Sequence, residues 1–194
     1  NPKCEAKTYF IADTHFGNAR TLEKCGRPFR NVEHMNWSMI SSWNNIVRDE
    51  DIVYILGDFA SEDYTKEDVF RILRQLKGKK HLIIGNHDEG WISQCTQGEL
   101  LQYFCTLPQE EAVIKLNGER IELCHYPKFK FSGIMIHGHI HNFRNQKSGW
   151  STIKGNKSIL NAGVDINEFR PVDLRELREN NNIFKNLKKK SRKK

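Results

Sequence analysis

Five short stretches of the sequence contain Asp, Asn and His residues of the kind that bind metal ions. In chain order they are Asp13-Thr14-His15, Gly57-Asp58, Gly85-Asn86-His87-Asp88, His125 and Gly138-His139-Ile140-His141. Carboxylate oxygens and neutral imidazole nitrogens suit divalent first-row metals such as Mn, Fe, Zn or Ni. Each stretch alone is more often a turn or a structural histidine. Together, and in this order, they predict a metal site.

The spacing within these stretches also favours metal binding. Asp13 and His15 are two residues apart, and in extended backbone such side chains face the same way, so both could reach one ion. His139 and His141 have the same spacing, but in a turn they could reach different ions. The glycines beside three of the stretches would let the backbone turn sharply next to the metals.

The charges of the predicted site suit a phosphate ester. Two divalent ions bring four positive charges. The negative charges of Asp13, Asp58 and a bridging hydroxide would neutralise most of these, which leaves roughly one positive charge to attract the phosphate. A metal lowers the pKa of bound water from about 15.7 to about 7. Two ions about 3.5–4 Å apart can hold both the attacking and the bound phosphate oxygens. The residues therefore predict hydrolysis by a metal-bound hydroxide.

The elements that must position these residues follow from the apolar pattern. Strands are predicted at residues 8–12, 51–56, 80–84, 111–116, 119–123, 133–136 and 158–161. Helices are predicted at residues 31–47, 65–76 and 172–180. The five polar stretches follow the ends of predicted strands. In open α/β sheets the crevice beyond the carboxyl ends of the strands is where ligands bind, so the stretches could converge there.

The order of the elements predicts the fold class. Alternating strands and helices in the first half indicate a parallel sheet with crossover helices. In the second half, Asn117-Gly118 between two apolar runs predicts a β-hairpin. We expect one α/β domain over residues 1–184, in which two sheets pack face to face with helices outside.

The net charge of +7 is concentrated at the end of the chain. Residues 185–194 contain seven Lys or Arg and no acidic residue, whereas the rest has 24 basic and 24 acidic residues. A run of like charges repels itself, which predicts a flexible basic tail. Such a tail could contact nucleic acid through its phosphates, or could simply be a solvated segment.

The cysteines and the hydropathy indicate a cellular compartment. Five Cys at uneven spacing, with no CxxC pair, argue against a disulfide framework and for a reducing environment. No run of about 18 apolar residues could span a bilayer, and residues 1–6 lack the apolar core of a signal peptide. We expect a cytoplasmic protein without a membrane partner. The sequence gives no indication of its oligomeric state.

The ordered series DTH, GD, GNHD, H and GHIH resembles the calcineurin-like metallophosphoesterases. DTHFG at 13–17, RPF at 27–29, NAGVD at 161–165 and RPV at 170–172 are similar to the small bacterial and phage members. The resemblance covers about residues 8–178. It implies a two-sheet β-sandwich flanked by α-helices and a metal-dependent hydrolase that acts on phosphate ester bonds.

The resemblance also implies a role for each polar residue. One metal would be bound by Asp13, His15, Asp58 and His141, and the other by Asp58, Asn86, His125 and His139. His87 would be the catalytic residue, placed over the phosphate to steady its charge and to protonate the leaving oxygen. Two Mn²⁺ ions are the expected cofactors, with Fe, Zn or Ni as alternatives.

Three further residues are candidate contacts to the substrate phosphate: Asn18, Arg27 and Arg30. The two arginines could bind a phosphate bidentately, or could be solvated loop residues. Similar proteins often have His at the position of Asn18, so this position bears on substrate preference. The chain also departs from the family pattern GDxxD, because Ser61 occupies the place of the final Asp, which is not a metal ligand in the family.

Three functions follow as alternatives. The leading prediction is a phosphomonoesterase or phosphodiesterase for a small phosphorylated or nucleotide-like molecule. The second is a nuclease or RNA-end phosphoesterase that holds nucleic acid with its basic tail. The third is a binding or scaffold module without catalysis, against which the complete set of candidate ligands argues.

Overall fold

The computed structural model describes residues 5–145 and 149–187. In chain order the elements are β1 (Thr8–Ile11), α1 (Ala19–Lys24), α2 (Val32–Ile46), β2 (Ile52–Leu56), α3 (Lys66–Leu73), β3 (Lys79–Ile83), α4 (Glu89–Ile92), α5 (Gln97–Leu100), β4 (Glu111–Leu116), β5 (Glu119–Cys124), β6 (Ile134–His137), α6 (Trp150–Gly155), β7 (Ile159–Asn161), β8 (Val172–Asp173) and α7 (Leu174–Asn186). A 3₁₀ turn at Val164–Ile166 lies between β7 and β8.

The strands form two four-stranded sheets. The first has the order β3-β2-β1-β8, in which β1, β2 and β3 are parallel and β8 is antiparallel to β1. The second has the order β4-β5-β6-β7, in which β4 and β5 form an antiparallel hairpin and β5, β6 and β7 are parallel. The predicted two-sheet α/β fold flanked by helices is confirmed.

Strand β1 shows why the sheets lie face to face. Successive side chains of a strand point to opposite faces, and all of those after Thr8 are buried. Tyr9 and Ile11 belong to a core that also contains Met35, Met39 and Trp43 of α2. Phe10 belongs to a second core, shared with β5, β6 and β7. The first sheet is therefore covered by helices on one face and by the second sheet on the other.

The local sequence signals that predict the starts of α2 and α3 and one hairpin turn are found in the structure. Asn31 caps α2, because its side chain accepts a hydrogen bond from the amide of His34 at 2.8 Å. Thr65 and Asp68 form a capping box at the start of α3. Asn117 and Gly118 both have positive φ, at 51° and 83°, as a two-residue hairpin turn of this kind requires.

The end of the chain differs from the prediction. A strand, β8, occupies residues 172–173, and α7 then continues to Asn186 rather than ending near residue 180. Lys185, which the predicted tail includes, is buried in α7 and donates to the carbonyls of Asn156 and Ile159. These two hydrogen bonds offset part of the cost of burying the ammonium group. Residues 188–194 of the predicted basic tail lie outside the described residues.

The cysteines and the helix lengths were also predicted from the sequence. The four cysteines within the described residues, Cys25, Cys95, Cys105 and Cys124, are free thiols, as predicted. Over the same described ranges, no helix has the length and apolar character needed to cross a membrane.

Candidate metal centre

The predicted ligands lie together beyond the carboxyl ends of five strands. In chain order they are Asp13 and His15 after β1, Asp58 after β2, Asn86 after β3, His125 after β5, and His139 and His141 after β6. Strands from both sheets contribute, so the site lies where one end of the sandwich opens. This is the placement that the strand pattern predicts.

The side chains fall into two groups. Asp13, His15 and His141 each offer a ligand atom within 4.8 Å of the others, and so do Asp58, His125 and His139. Oδ2 of Asp58 lies 3.4 Å from Nε2 of His15 and 3.4 Å from Nε2 of His125. One carboxylate oxygen therefore faces a member of each group.

Asn86 joins the second group. Its Oδ1 lies 3.1 Å from Nε2 of His125 and accepts a hydrogen bond of 3.1 Å from the hydroxyl of Tyr126. The Tyr126 ring also packs against the His139 ring, with centroids 4.4 Å apart. Tyr126 was not predicted from the sequence, because a tyrosine that follows a histidine carries no distinctive signal.

The backbone that carries these ligands is unusual. Eight described non-glycine residues have positive φ, and five of them are predicted ligands: Asp13, His15, Asp58, His139 and His141. Such conformations cost of order 1–3 kcal/mol each and concentrate at functional sites.

The expectation that Asp13 and His15 converge through extended backbone is wrong, since both are left-handed, with φ of 56° and 48°. The turns, rather than strand periodicity, bring them together.

Glycines allow two of these turns to approach each other. Gly57 has φ of +84°, and a Cβ at this position would lie 2.5 Å from Nδ1 of His125. A Cβ on Gly85 would lie 2.3 Å from the amide nitrogen of Asp58 and 2.4 Å from its Oδ1. Neither position can hold a side chain unless a candidate ligand moves.

The donor set fits a bound metal. Oδ2 of Asp13 and both ring nitrogens of His15 are buried, and none of them has a hydrogen-bond partner among the described residues. Buried polar atoms without a partner are rare because each costs about 1–3 kcal/mol. A cation bound between these side chains would satisfy Oδ2 of Asp13 and one ring nitrogen of His15.

Burial keeps two of the histidines neutral. It lowers the pKa of His15 to about 3 and the pKa of His139 to about 4, the latter with help from the nearby His125. Neutral imidazole is the form that binds metals. Asp13, His15, Asp58 and His125 are buried and His141 is half-buried, whereas Asn86 and His139 are exposed.

The other two histidines are held in the protonated form. Burial alone would lower their pKa values. However, the hydrogen bond to Asp58 and the charge of Asp13 raise the pKa of His125 to about 9. The charge of Asp13 and the hydrogen bond to Asp165 raise that of His141 to about 10. Metal binding must therefore displace protons from His125 and His141.

A cleft of about 230 Å³ opens beside the two groups. It is lined by Lys24, Asp58, Asn86, His87, His139, Ile140, His141, Phe143 and Asn145. Nζ of Lys24 lies 5.5 Å from the centroid of the Phe143 ring. Lys24 was not predicted as a site residue, because nothing in its sequence surroundings distinguishes it from other surface lysines.

His87, the predicted catalytic residue, borders this cleft. Its amide donates to Oδ1 of Asp58 at 2.9 Å, and its side chain is 31% exposed. Nδ1 of His87 lies 3.1 Å from Oε2 of Glu62. Glu62 was missed because it stands one residue beyond the final position of the GDxxD pattern, where Ser61 is found.

The three predicted phosphate contacts have different outcomes. The prediction for Arg27 is wrong, because its side chain is fully buried and its guanidinium is occupied by protein groups. Asn18 caps α1, where its side chain accepts a hydrogen bond of 2.9 Å from the amide of Thr21. Arg30 is exposed. For Asn18 and Arg30 a contact to substrate stays a prediction.

Arg27 instead forms a buried ion pair with Asp165. Its Nε lies 2.9 Å from Oδ1 and its Nη2 lies 3.1 Å from Oδ2 of Asp165. Oδ2 of Asp165 is also 2.9 Å from Nδ1 of His141. Burial would raise the pKa of Asp165, but the hydrogen bond with His141 and the charge of Arg27 hold it below its usual value. Asp165 is therefore ionised.

Asp88 fixes the loop that carries Asp58. Its two carboxylate oxygens accept hydrogen bonds from the amides of Asp58, Phe59 and Gly85 and from Nε1 of Trp91. Burial raises the pKa of Asp88 to about 6. The carboxylate thus ties the loop after β2 to the loop after β3, so that Asp58 and Asn86 keep a fixed separation.

Comparisons with known proteins found a family model and several relatives that match this chain. The family model for calcineurin-like phosphoesterases matches residues 6–192. The uncharacterized protein MJ1445 of Methanocaldococcus jannaschii is 35% identical over 172 residues, which is 87% of each chain. The gene 66 protein of Mycobacterium phage L5 is 34% identical over 89 residues, 43% of this chain and 40% of the phage protein. The crystal structure of AQ665 from Aquifex aeolicus, a protein of unknown function, is 27% identical, covers 90% of this chain and 99% of its own, and has a TM-score of 0.68.

Proposed function

The chain belongs to the calcineurin-like phosphoesterase family, and from that membership we propose that it hydrolyses a phosphomonoester or phosphodiester of a small phosphorylated or nucleotide-like molecule. The family consists of metal-dependent hydrolases of phosphate esters. One observation carries the proposal of a two-metal centre: Oδ2 of Asp58 lies 3.4 Å from a histidine of each ligand group. A carboxylate in this position could serve as a ligand to both ions of a two-metal site.

The residues present would hold two ions. The first ion would be bound by Asp13, His15, Asp58 and His141, and the second by Asp58, Asn86, His125 and His139. When bound, divalent ions such as Mn²⁺, with Fe, Zn or Ni as alternatives, lower the pKa of a coordinated water and neutralise charge on the phosphate.

His87 would supply the proton for the leaving oxygen. It borders the cleft, and the carboxylate of Glu62 accepts a hydrogen bond from its Nδ1 when that atom carries a proton. This contact orients the ring and leaves Nε2 for proton transfer. A positioned general acid of this kind contributes roughly 10²–10⁴-fold to the rate.

The cleft supports a small substrate. Its volume of about 230 Å³ lies below the roughly 300–1,000 Å³ of pockets for drug-sized ligands. Lys24 lines the same cleft and carries a positive charge, so we propose that it binds an anionic oxygen of the substrate. This contact takes the role that the sequence suggested for Arg27.

The proposal is tested by turnover at controlled metal content. Protein stripped with a chelator should be inactive on bis(p-nitrophenyl) phosphate and p-nitrophenyl phosphate, and added Mn²⁺ should restore turnover of at least one. Asp58→Asn should eliminate the restored activity. Asp51→Asn is the matched control, because Asp51 is another buried aspartate, at the opposite end of β2. Wild-type turnover by metal-free protein or by Asp58→Asn would contradict the proposal.

A further inference from the structure

Two sequence stretches that the proposed function leaves unused meet next to the metal centre. Arg27 belongs to the RPF stretch and Asp165 to the NAGVD stretch, 138 residues apart. Their side chains are 0% and 1% exposed. A salt bridge without solvent contact, directly behind a candidate ligand, calls for an explanation.

We propose that Arg27 and Asp165 are positioning residues that hold His141 and the Asp13–His15 loop in the geometry needed to bind the first metal ion. This inference rests on the proposed function, because it assigns these residues to the same centre. Neither residue would touch the metal or the substrate. They would act through the ligands.

The first step concerns the ring of His141. An ionised carboxylate can only accept hydrogen bonds, so the 2.9 Å contact with Oδ2 of Asp165 requires Nδ1 of His141 to be the donor. In a neutral ring the lone pair then belongs to Nε2. Asp165 therefore fixes both the tautomer and the orientation of the ring, as carboxylates behind metal-bound histidines do.

The second step concerns the loop that carries the other two ligands. Nη2 of Arg27 donates to the carbonyl of Asp13 at 2.6 Å, and Nη1 donates to the carbonyl of Thr14 at 2.8 Å. Asp13 and His15 have left-handed backbone, which is costly without support. The guanidinium holds the loop in that conformation from behind.

The third step joins the two contacts. Arg27 donates to both oxygens of Asp165 and to both loop carbonyls, so one rigid planar group links the loop after β1 to the 3₁₀ turn after β7. Through Asp165 it also reaches His141, in the loop after β6. Lysine could not replace it, because an ammonium lacks the fixed fork of five donors. Stability alone is a weak reason for such a pair, since apolar residues of similar shape often stabilise a fold as well as a buried ion pair does.

The test is calorimetric titration of metal-free protein with Mn²⁺. Asp165→Asn keeps the size of the side chain but loses the charge, and it should weaken binding of one of the two ions by roughly 10–100-fold. Arg27→Lys should act in the same direction, and it provides a second variant if Asp165→Asn does not fold. Circular dichroism and thermal unfolding establish that each variant is folded before titration.

Asp51→Asn is again the control. Asp51 is a buried carboxylate paired with an arginine, Arg48, but it lies at the far end of β2 from the metal centre. It should leave both metal affinities unchanged even if the fold is weakened. Wild-type Mn²⁺ affinities in folded Asp165→Asn and Arg27→Lys, or an equal loss in Asp51→Asn, would overturn the inference alone. Failure of the wild-type protein to bind any Mn²⁺, Fe²⁺, Zn²⁺ or Ni²⁺ would overturn the proposed function, and the inference with it.

Discussion

Substitution of Gly85 by alanine should impair metal binding and turnover while the protein still folds. The new Cβ would lie 2.3 Å from the amide nitrogen and 2.4 Å from Oδ1 of Asp58, where ordinary contact begins at 3.4 Å. The Asp58 loop would therefore have to move by about 1 Å, and a displacement of that size near the reacting groups costs on the order of 10²-fold in rate. Overpacking of this kind also costs about 1–3 kcal/mol of folding free energy.

The assay for Gly85→Ala is Mn²⁺-dependent turnover of bis(p-nitrophenyl) phosphate together with thermal unfolding. We expect a folded protein with a lower melting temperature, weaker Mn²⁺ binding and turnover reduced about 10²-fold. Gly98→Ala is the matched control, because a Cβ on Gly98, in α5, would meet nothing within 4 Å. It should be neutral, or more stable by about 0.4–1 kcal/mol. Wild-type turnover and Mn²⁺ affinity in Gly85→Ala would refute the reasoning that Gly85 is required by its contact with Asp58.

Three further predictions concern the cleft and its ligands. His87→Ala should retain Mn²⁺ binding by calorimetry but lower kcat by roughly 10²–10⁴-fold, and loss of the metal would mean that its role is misassigned. Lys24→Gln should raise KM for the phosphate ester by roughly 10–100-fold without changing Mn²⁺ affinity. Lys79→Gln, which alters an exposed lysine at the opposite end of β3 from the metal centre, should change neither. Mn²⁺ affinity should rise from about pH 6 to about pH 8, by up to about tenfold per unit for each proton displaced. The reason is that His125 and His141, with pKa values of about 9 and about 10, lose protons on binding. A flat pH dependence would show that these rings are already neutral.

The parts of the fold that depend on local sequence could be predicted. The apolar runs that form β1, β2 and β3 end within a residue or so of their predicted ends, since burial of a strand leaves a direct mark on composition. The cap at Asn31 and the turn at Asn117-Gly118 rest on neighbouring residues alone. The polar stretches could be placed for the same reason, because each follows directly from a strand end.

The parts that depend on distant contacts could not be predicted. Arg27 looked like a phosphate ligand because its partner, Asp165, is 138 residues away and no local pattern connects them. Glu62 was overlooked because a one-residue shift from the family pattern still lets its longer side chain reach Nδ1 of His87. The left-handed conformation of Asp13 and His15 was also missed, since these residues are held there by tertiary contacts and not by a glycine.

The uneven exposure of the ligands has a consequence for the purified protein. Asp13 and His15 are shut away from water, whereas His139, in the second group, is open to it. An ion held by an exposed side chain can leave stepwise as water takes each vacated position, whereas the buried Asp13 and His15 make this exchange slower for the ion that they hold. Dialysis against a weak chelator should therefore yield a half-loaded form with one ion per chain, and its activity would reflect the metal added last.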